Sequence, residues 1–446
     1  MTRTNGDHRA GRPSAEQAIA AIDVGSNALR LHIVSVRPTG GVVELESIRE
    51  PVRLGRRVFL TGVLEEAEIE RAVSALVAFR ATMDRHRVER YRAVATSAVR
   101  EAQNRDLFLD RVSTVAGIDL EPISGAEEAR LLTVAVGRRL DLSRRRALLV
   151  DVGGGSVELT VVDRGVTVLS ESHRVGAVRL AEFFLESSRS LGEKGDLLDE
   201  YFDRMLAPTL AAIEKVRPEA LIATGGNADT IARILVKGGD DDVANVDAGE
   251  LASLSRRLLA LETAERAKKF DLRPDRVDTI VPSAALLHFL VERLGLPGFE
   301  APRVGLRDGI VAELVDRIVG RYDAAKAERS VLAEAERIGE HYRYDRAHAL
   351  KVRELSFALF DVLRPLHRFG ERERRLLGVA ATLHDVGSYV GYAHHHRHSL
   401  YLIQSSELGG LSADDLRVVA VIARYHRRAA PSDRHEEYAD RVATEL

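Results

Sequence analysis

The stretch DVGSNALRLHIV (residues 23–34) has an echo in DVGGGSVELTVV (residues 151–162), at a constant offset of 128 residues and without a gap. Asp, Val and Gly open both copies, and Leu31 matches Leu159. After the glycine turn each copy alternates. Leu29, Leu31 and Ile33 fall on one face with Arg30 and His32 opposite, and Val157, Leu159 and Val161 on one face with Glu158 and Thr160 opposite. That period is a strand's. A phosphate-binding loop of the Rossmann or Walker kind would open a helix here instead. Each copy therefore reads as strand, aspartate, glycine turn, strand: a hairpin, not a crossover. The echo predicts a two-lobed protein whose halves begin with the same unit.

Outward from the hairpins, strands and helices alternate. IAAID (19–23) and ALLVDV (147–152) lead into the two turns, and YRAVAT (91–96) and IDLEPI (118–123) are strand-like. Ile69, Val73, Leu76 and Arg80 have helical spacing, 104–116 reads as helix, and another helix starts near 126. The pattern is α/β. Between 177 and 320 helical segments dominate, broken by ALIAT (220–224), and beyond about 320 the strand signal stops. The reading divides the chain into a flexible polar tail (1–17), a first lobe (18–140), a second lobe (141–320) and an all-α domain (321–446).

Composition narrows the function. The chain has 446 residues, 45% hydrophobic and 30% charged, with a net charge of −3. It is globular, and it lacks the basic excess of a nucleic-acid coat. Cysteine is absent, which removes disulfides, thiol nucleophiles and cysteine metal sites. No apolar run approaches the ~20 residues that span a bilayer, and the polar N-terminal stretch has no signal-peptide core. A cytoplasmic protein that binds neither membrane nor nucleic acid is expected.

Glycines in a turn let backbone N–H groups approach an anion, and an aspartate at the strand end can hold a hydrated Mg²⁺ on the same oxyanion. Paired hairpins of this kind resemble the phosphate clamp of actin, sugar kinases and Hsp70. The resemblance becomes specific with ISGAEEARLL (123–132) and LLVDVGGGSVEL (148–159), joined by AIDVGSNALRL (21–31), ATSAVREAQN (95–104), ATGGN (223–227) and, more loosely, RVGLRDGI (303–310). Together and in this order they resemble the exopolyphosphatase/guanosine pentaphosphate phosphohydrolase (Ppx/GppA) family over roughly 18–320. The resemblance implies two actin-like (ASKHA), ribonuclease-H-like lobes around a phosphate-binding cleft. The helical remainder resembles the HD-like C-terminal domain of the family's longer members.

Hydrolysing a phosphoanhydride takes an in-line water, a group to accept its proton, and positive charge on the oxygens. The resemblance places the catalytic glutamate in the pair Glu127–Glu128. Ser124-x-x-Glu127 also reads as a capping box, which leaves Glu128 the more available of the two. Glu158 would orient the water or bind metal, and Asp23 and Asp151 would hold Mg²⁺, with Mn²⁺ or a monovalent cation as further candidates. Phosphate-binding candidates are Gly25, Ser26, Asn27, Arg100, Gly153, Gly154, Gly155, Ser156, Gly225, Gly226 and Asn227. Arg100 enters because a guanidinium can fork onto phosphate oxygens.

The tail is rich in histidine. His348, the pair His384–Asp385, His396 within HHHRH (394–398), and His426 resemble the pattern of HD metal-dependent phosphohydrolases, with Ser388 where one large branch of those enzymes has lysine. They form a candidate second metal or anion site.

The expected activity is Mg²⁺-dependent release of terminal orthophosphate from inorganic polyphosphate. The alternative is 5′-phosphate release from guanosine pentaphosphate (pppGpp); an ATPase and an idle alarmone-binding regulator of the same fold rank lower. A homodimer is the expected assembly.

Overall fold

The computed structural model describes residues 16–185, 191–236, 242–427 and Ser432. Of the expected tail, residues 1–15 lie outside the described residues, and Gln17 already belongs to the first strand. The chain divides between Tyr322 and Asp323 into two compact units.

Among the described residues the first unit holds eleven strands in two sheets. They are β1 (Gln17–Val24), β2 (Leu29–Val36), β3 (Val42–Glu50), β4 (Arg90–Ala95), β5 (Leu120–Pro122), β6 (Arg146–Val152), β7 (Val157–Asp163), β8 (Val166–His173), β9 (Ala220–Thr224), β10 (Ala244–Asp247) and β11 (Gly298–Ala301). The sheet orders are β3-β2-β1-β4-β5 and β10-β11-β9-β6-β7-β8. β1 pairs antiparallel with β2 and parallel with β4; β6 pairs antiparallel with β7 and parallel with β9.

The duplication extends to backbone detail. The first turn closes with Gly25 N–H donating to the Ala28 carbonyl, the second with Gly153 N–H donating to the Ser156 carbonyl, each at 3.1 Å. The β2–β3 register shifts between Ile33 and Val34, and the β7–β8 register between Val161 and Val162. All of these pairs keep the 128-residue offset of the sequence echo.

β2 is less amphipathic than its alternation predicts. Val34, Val36 and His32 are buried along with Leu29, Leu31 and Ile33. The helix Glu66–Arg85 packs one face of the first sheet. On the other, Ile19, Ala21, Val34 and Val94 meet Leu306, Ile310, Val311 and Val315 of the helix Leu306–Ile318. Residues 306–318, assigned to the second lobe by the sequence reading, thus complete the first. A backbone contact fixes this arrangement: a Cβ on Gly309 would lie 2.1 Å from the Leu131 carbonyl oxygen. Leu131 belongs to the helix Gly125–Arg139, whose Ala135 and Val136 pack instead on Ala147, Leu149 and Ile222 of the second sheet. One helix therefore serves both lobes, and its first turn lies at the junction.

The second sheet is covered by the helices Leu191–Val216, Ala248–Ala260 and Ile280–Arg293. β10 and β11, four residues each, escape the sequence reading because so short a segment shows no period.

The second unit is helical throughout its described residues: Ala324–His341, Arg346–His367, Glu371–Leu383, His395–Gln404 and Ala413–Arg424 surround their own core, including Val331, Leu376, Val379, Leu383, Ile403 and Val419. No described helix in either unit is long and apolar enough to cross a membrane.

Candidate active site

The glycine turns face a cleft of about 320 Å³ in the first unit. Gly25, Ser26 and Asn27 of the first turn and Gly153 and Gly154 of the second line it, with Gly225 and Gly226 after β9. A Cβ on Gly154 would stand 2.7 Å from Ser26 Cβ, so the two turns touch. Gly225 has φ 93°, and a Cβ there would press on the Val152 carbonyl at 2.8 Å. This crowding selects glycine on steric grounds.

Three carboxylates converge beside the cleft: Glu128 and Asp151 line it, and Glu158 stands behind them. One oxygen each from Glu128, Asp151 and Glu158 lies within 4.8 Å of the others. Glu128 comes from the first turn of the 125–139 helix; Asp151 and Glu158 are paired across β6 and β7. Ser172 Oγ donates to Glu158 Oε1 at 2.9 Å and Thr224 Oγ1 to Asp151 Oδ1 at 2.6 Å. Glu128 Oε2 and Glu158 Oε2 are buried with no hydrogen-bond partner. Burial, then the neighbouring Glu158, pushes the Glu128 carboxyl well above the usual range. Burial, then Asp151, raises Glu158 to about 7; burial raises Asp151 to about 6 against the Thr224 hydroxyl, which lowers it. Three adjoining carboxyl groups, Glu128 and Glu158 buried and Asp151 half-buried, with two oxygens that accept no hydrogen bond, form an acceptor-rich pocket. All-oxygen donors of this kind fit a hard divalent cation.

Asp23 lies outside this trio, although it lines the cleft. Its Oδ2 accepts from Arg30 Nη1 at 2.7 Å.

Positive charge crowds the rest of the cleft: Arg30, Arg49, Arg233, Arg273, Arg276, Arg303 and Arg307 line it. Arg276 donates from Nη1 to Asn227 Oδ1 at 2.9 Å, and Arg49 pairs with Asp275. Burial, then the nearby Arg30, lowers the Arg276 guanidinium to about 9. Guanidinium groups that destabilise one another's charge are poised for an anion. The site thus presents an acidic pocket suited to a cation beside an arginine pocket suited to an anion.

Several sequence candidates sit elsewhere. Glu127 does not face the cleft. It is buried, with Arg92 Nη2 at 3.0 Å and Arg130 Nε at 2.7 Å, and Arg130 Nη2 reaches on to Glu313 at 2.5 Å. Ser124 Oγ accepts from Glu127 N at 3.1 Å, the serine half of the expected capping box, while the Glu127 carboxylate is engaged by the two arginines. Arg100 is not among the lining residues either; Nη1 donates to the Ile123 carbonyl at 2.7 Å and stands 3.7 Å from Glu128 Oε2. Its guanidinium thus sits beside the Glu128 carboxylate. Gly155 leaves room for Phe59, which a Cβ would meet at 2.3 Å. Ser156 hydrogen-bonds Glu158. Asn227 spends its amide on the Thr279 carbonyl and Ser283 Oγ, at 3.1 and 2.8 Å.

Sequence reasoning passes over Arg30, Arg49, Arg276 and Asp229. Asp229 lines the cleft with a buried, unpartnered Oδ1, and burial raises it to about 6. For Arg30 a signal existed: strand alternation from Asp23 puts it on the same face. Arg49 and Arg276 arrive from β3 and from the loop before residue 280, and no local pattern announces them.

In the second unit the histidine candidates largely converge. His348, His384 and Asp385 form one cluster; Asp385, His395 and His426 form another. The sequence reading names His396, but the cluster takes the adjacent His395, whose Nε2 lies 3.2 Å from Asp385 Oδ1. Both rings pack beside His426, with centroids 5.3 Å from it for His395 and 6.5 Å for His396.

Comparison with known proteins agrees with this architecture. The Ppx/GppA phosphatase family matches residues 33–318, and its domain III matches residues 331–445. A guanosine-5'-triphosphate,3'-diphosphate pyrophosphatase of Photobacterium profundum is 24% identical over 413 residues, covering 93% of this chain and 81% of that protein. One from Vibrio vulnificus is 26% identical over 415 residues, with the same coverage of 93% and 81%. Among solved structures, an exopolyphosphatase from Cytophaga hutchinsonii has a TM-score of 0.64 at 26% identity, covering 68% of this chain and 99% of that one. The Aquifex aeolicus Ppx/GppA family member has a TM-score of 0.58 at 25% identity, covering 69% and 99%. With its twin actin-like lobes and clefted carboxylates, the chain belongs to the Ppx/GppA phosphatase family of phosphoanhydride hydrolases.

Proposed function

We propose that the chain removes the terminal phosphate of a polyphosphorylated substrate by direct attack of water, with Glu128 as the base. The observation that carries this reading is the buried Glu128 carboxylate, with an unpartnered oxygen, beside Asp151 and Glu158 in an arginine-lined cleft.

The glycine turns would cradle the terminal phosphoryl group through backbone N–H groups, with Ser26 beside them. Arg276, held by Asn227, and its neighbouring arginines would carry the preceding phosphates. Glu128 would accept a proton from the attacking water through its unpartnered oxygen. The raised affinity of its carboxyl for protons makes it a stronger base than an exposed glutamate. Glu158, held by Ser172, would orient that water. Asp151 and Glu158 would hold Mg²⁺, which when bound supplies charge neutralisation on the phosphoryl oxygens.

For the substrate, the relatives' names favour pppGpp over the polyphosphate reading that stands first from sequence. The relatives named for pppGpp align over 93% of the chain, both units included. Polyphosphate remains the second reading, favoured by the likeness to an exopolyphosphatase over 68% of the chain. Phosphate release from pppGpp, long-chain polyphosphate and ATP, assayed side by side with Mg²⁺, tests the assignment. The highest kcat/KM is expected on pppGpp. A preference for polyphosphate would restore the other order, and a preference for ATP would remove both.

A further inference from the structure

The described residues of the second unit contain a cluster that phosphoanhydride hydrolysis in the first unit does not use. His384 Nε2 stands 3.3 Å from His348 Nε2, and Asp385 Oδ2 lies 3.3 Å from the former and 3.7 Å from the latter. His395 Nε2 stands 3.3 Å from His426 Nε2, and Asp385 Oδ1 lies 3.2 and 3.4 Å from these. One carboxylate thus joins two imidazole pairs, one through each oxygen.

The far sides of the rings decide what these contacts can be. His384 Nδ1 lies 2.8 Å from the Ala381 carbonyl, His395 Nδ1 3.0 Å from that of Tyr392, and His426 Nδ1 2.6 Å from that of Ala423. A carbonyl only accepts, so each Nδ1 carries the hydrogen. In the neutral ring Nε2 then holds a lone pair. Lone pairs on His395 and His426 face each other and the carboxylate, and His384 likewise presents one to Asp385. Acceptors facing acceptors at hydrogen-bond distance repel unless a proton on one ring of a pair, or a metal cation, stands between them, and a metal cation serves both rings and the carboxylate at once.

The spacing fits such cations. Two ligands at about 2.05 Å from a tetrahedral ion stand about 3.3 Å apart. The support is rigid: Ser399 Oγ donates to the His384 carbonyl at 2.7 Å and accepts from Gly387 N at 2.9 Å. A Cβ on Gly387 would lie 2.0 Å from the His395 carbonyl oxygen, so the turn after Asp385 abuts the next helix directly. Asp345 caps the helix that carries His348, accepting from His348 N at 3.0 Å.

We propose that this cluster is a two-ion transition-metal centre, with His348 and His384 on one ion, His395 and His426 on the other, and Asp385 bridging them. Imidazole-rich donors select Zn²⁺, Mn²⁺, Fe²⁺ or Co²⁺ over the Mg²⁺ that suits the all-oxygen trio of the first unit. Each ion receives three protein atoms, leaving positions for water or an oxyanion, as catalytic centres do and closed structural sites do not.

The experiment uses the full-length protein, stripped by a chelator and then loaded with Zn²⁺ in excess Mg²⁺, which occupies the carboxylate trio. After removal of loose metal, elemental analysis is expected to find about two Zn²⁺ per chain in the wild type. Asp385→Ala, which keeps every histidine of the 394–398 run, is expected to retain less than about a quarter of that, and His395→Gln about half. Zn²⁺ is expected to raise the melting temperature of the wild type and not of Asp385→Ala. Far-ultraviolet circular dichroism and first-unit phosphate release check that the variants fold. Two results would overturn the proposal: a wild type that retains no Zn²⁺, and equal retention by wild type and Asp385→Ala.

Discussion

Glu158 occupies, in the second hairpin, the register position that Arg30 holds in the first. Asp23 faces Arg30 across β1 and β2, and Asp151 faces Glu158 across β6 and β7. The first pair closes as an ion pair at 2.7 Å, while the second sets two acids side by side, both with raised affinity for protons. A single change of sign at equivalent sites makes one hairpin self-neutralising and leaves the other in need of a cation.

This asymmetry carries a stability cost. Burial is the main reason Glu158 binds its proton up to about 7, and its penalty therefore grows as pH rises from the unfolded carboxyl value through 7. Glu158→Gln removes the charge and lets the amide oxygen keep the Ser172 bond. In the absence of divalent ions the variant is expected to be about 2 kcal/mol more stable than wild type at pH 8 and nearly equal at pH 4.5. It should also lose most phosphate release. Calorimetric melts at the two pH values check this; a variant less stable than wild type at pH 8 would contradict the reading.

The helix junction has the opposite dependence. Although burial opposes it, the Arg130 ion pair and hydrogen bond, with help from Arg317, lower Glu313 to about 2. Its stabilisation is full above the unfolded carboxyl value and is lost as pH falls toward 2. Glu313→Gln is expected to cost about 2–3 kcal/mol at neutral pH, and the gap from wild type should shrink steadily on acidification below about 4.5. Urea titrations at pH 7 and in the acid range measure the gap.

Gly226→Ala tests the arginine pocket without touching the carboxylates. The added Cβ would lie 2.0 Å from Arg276 Nη2, and Arg276 is buried and tied to Asn227. Displacing that guanidinium should raise KM for pppGpp by about tenfold, worth about 1.4 kcal/mol, with a smaller effect on kcat. Steady-state kinetics separates the two; an unchanged KM would remove Arg276 from the substrate's path.

The parts of this site that sequence makes legible are those carried by short-range pattern. The hairpins could be read because period-two alternation, a strand-end aspartate and a glycine turn lie within a dozen residues and recur. The capping-box reading of Ser124-x-x-Glu127 gives the first glutamate of the pair a local duty, but its carboxylate is held by Arg92 and Arg130, and the Arg92 contact across 35 residues has no local signal. Arg49, Arg276 and Asp229 reach the cleft only through tertiary packing, and a solvated arginine looks the same in sequence. Arg100 and Ser156 are motif residues that the fold sets beside the carboxylates Glu128 and Glu158, a placement no local pattern announces. The helix Leu306–Ile318 returns to the first sheet from far along the chain, which a linear division into lobes could not register.

The most direct test of the account compares Glu128→Gln with Glu127→Gln in single-turnover phosphate release from pppGpp with Mg²⁺. Glu128 faces the cleft, whereas Glu127 is bound to Arg92 and Arg130. Glu128→Gln is expected to slow release by about 10²–10⁴-fold while substrate still binds. Glu127→Gln should lower stability by about 3 kcal/mol and leave the folded enzyme's rate within about tenfold of wild type. Wild-type turnover by Glu128→Gln, with Glu127→Gln folded but inactive, would contradict the account.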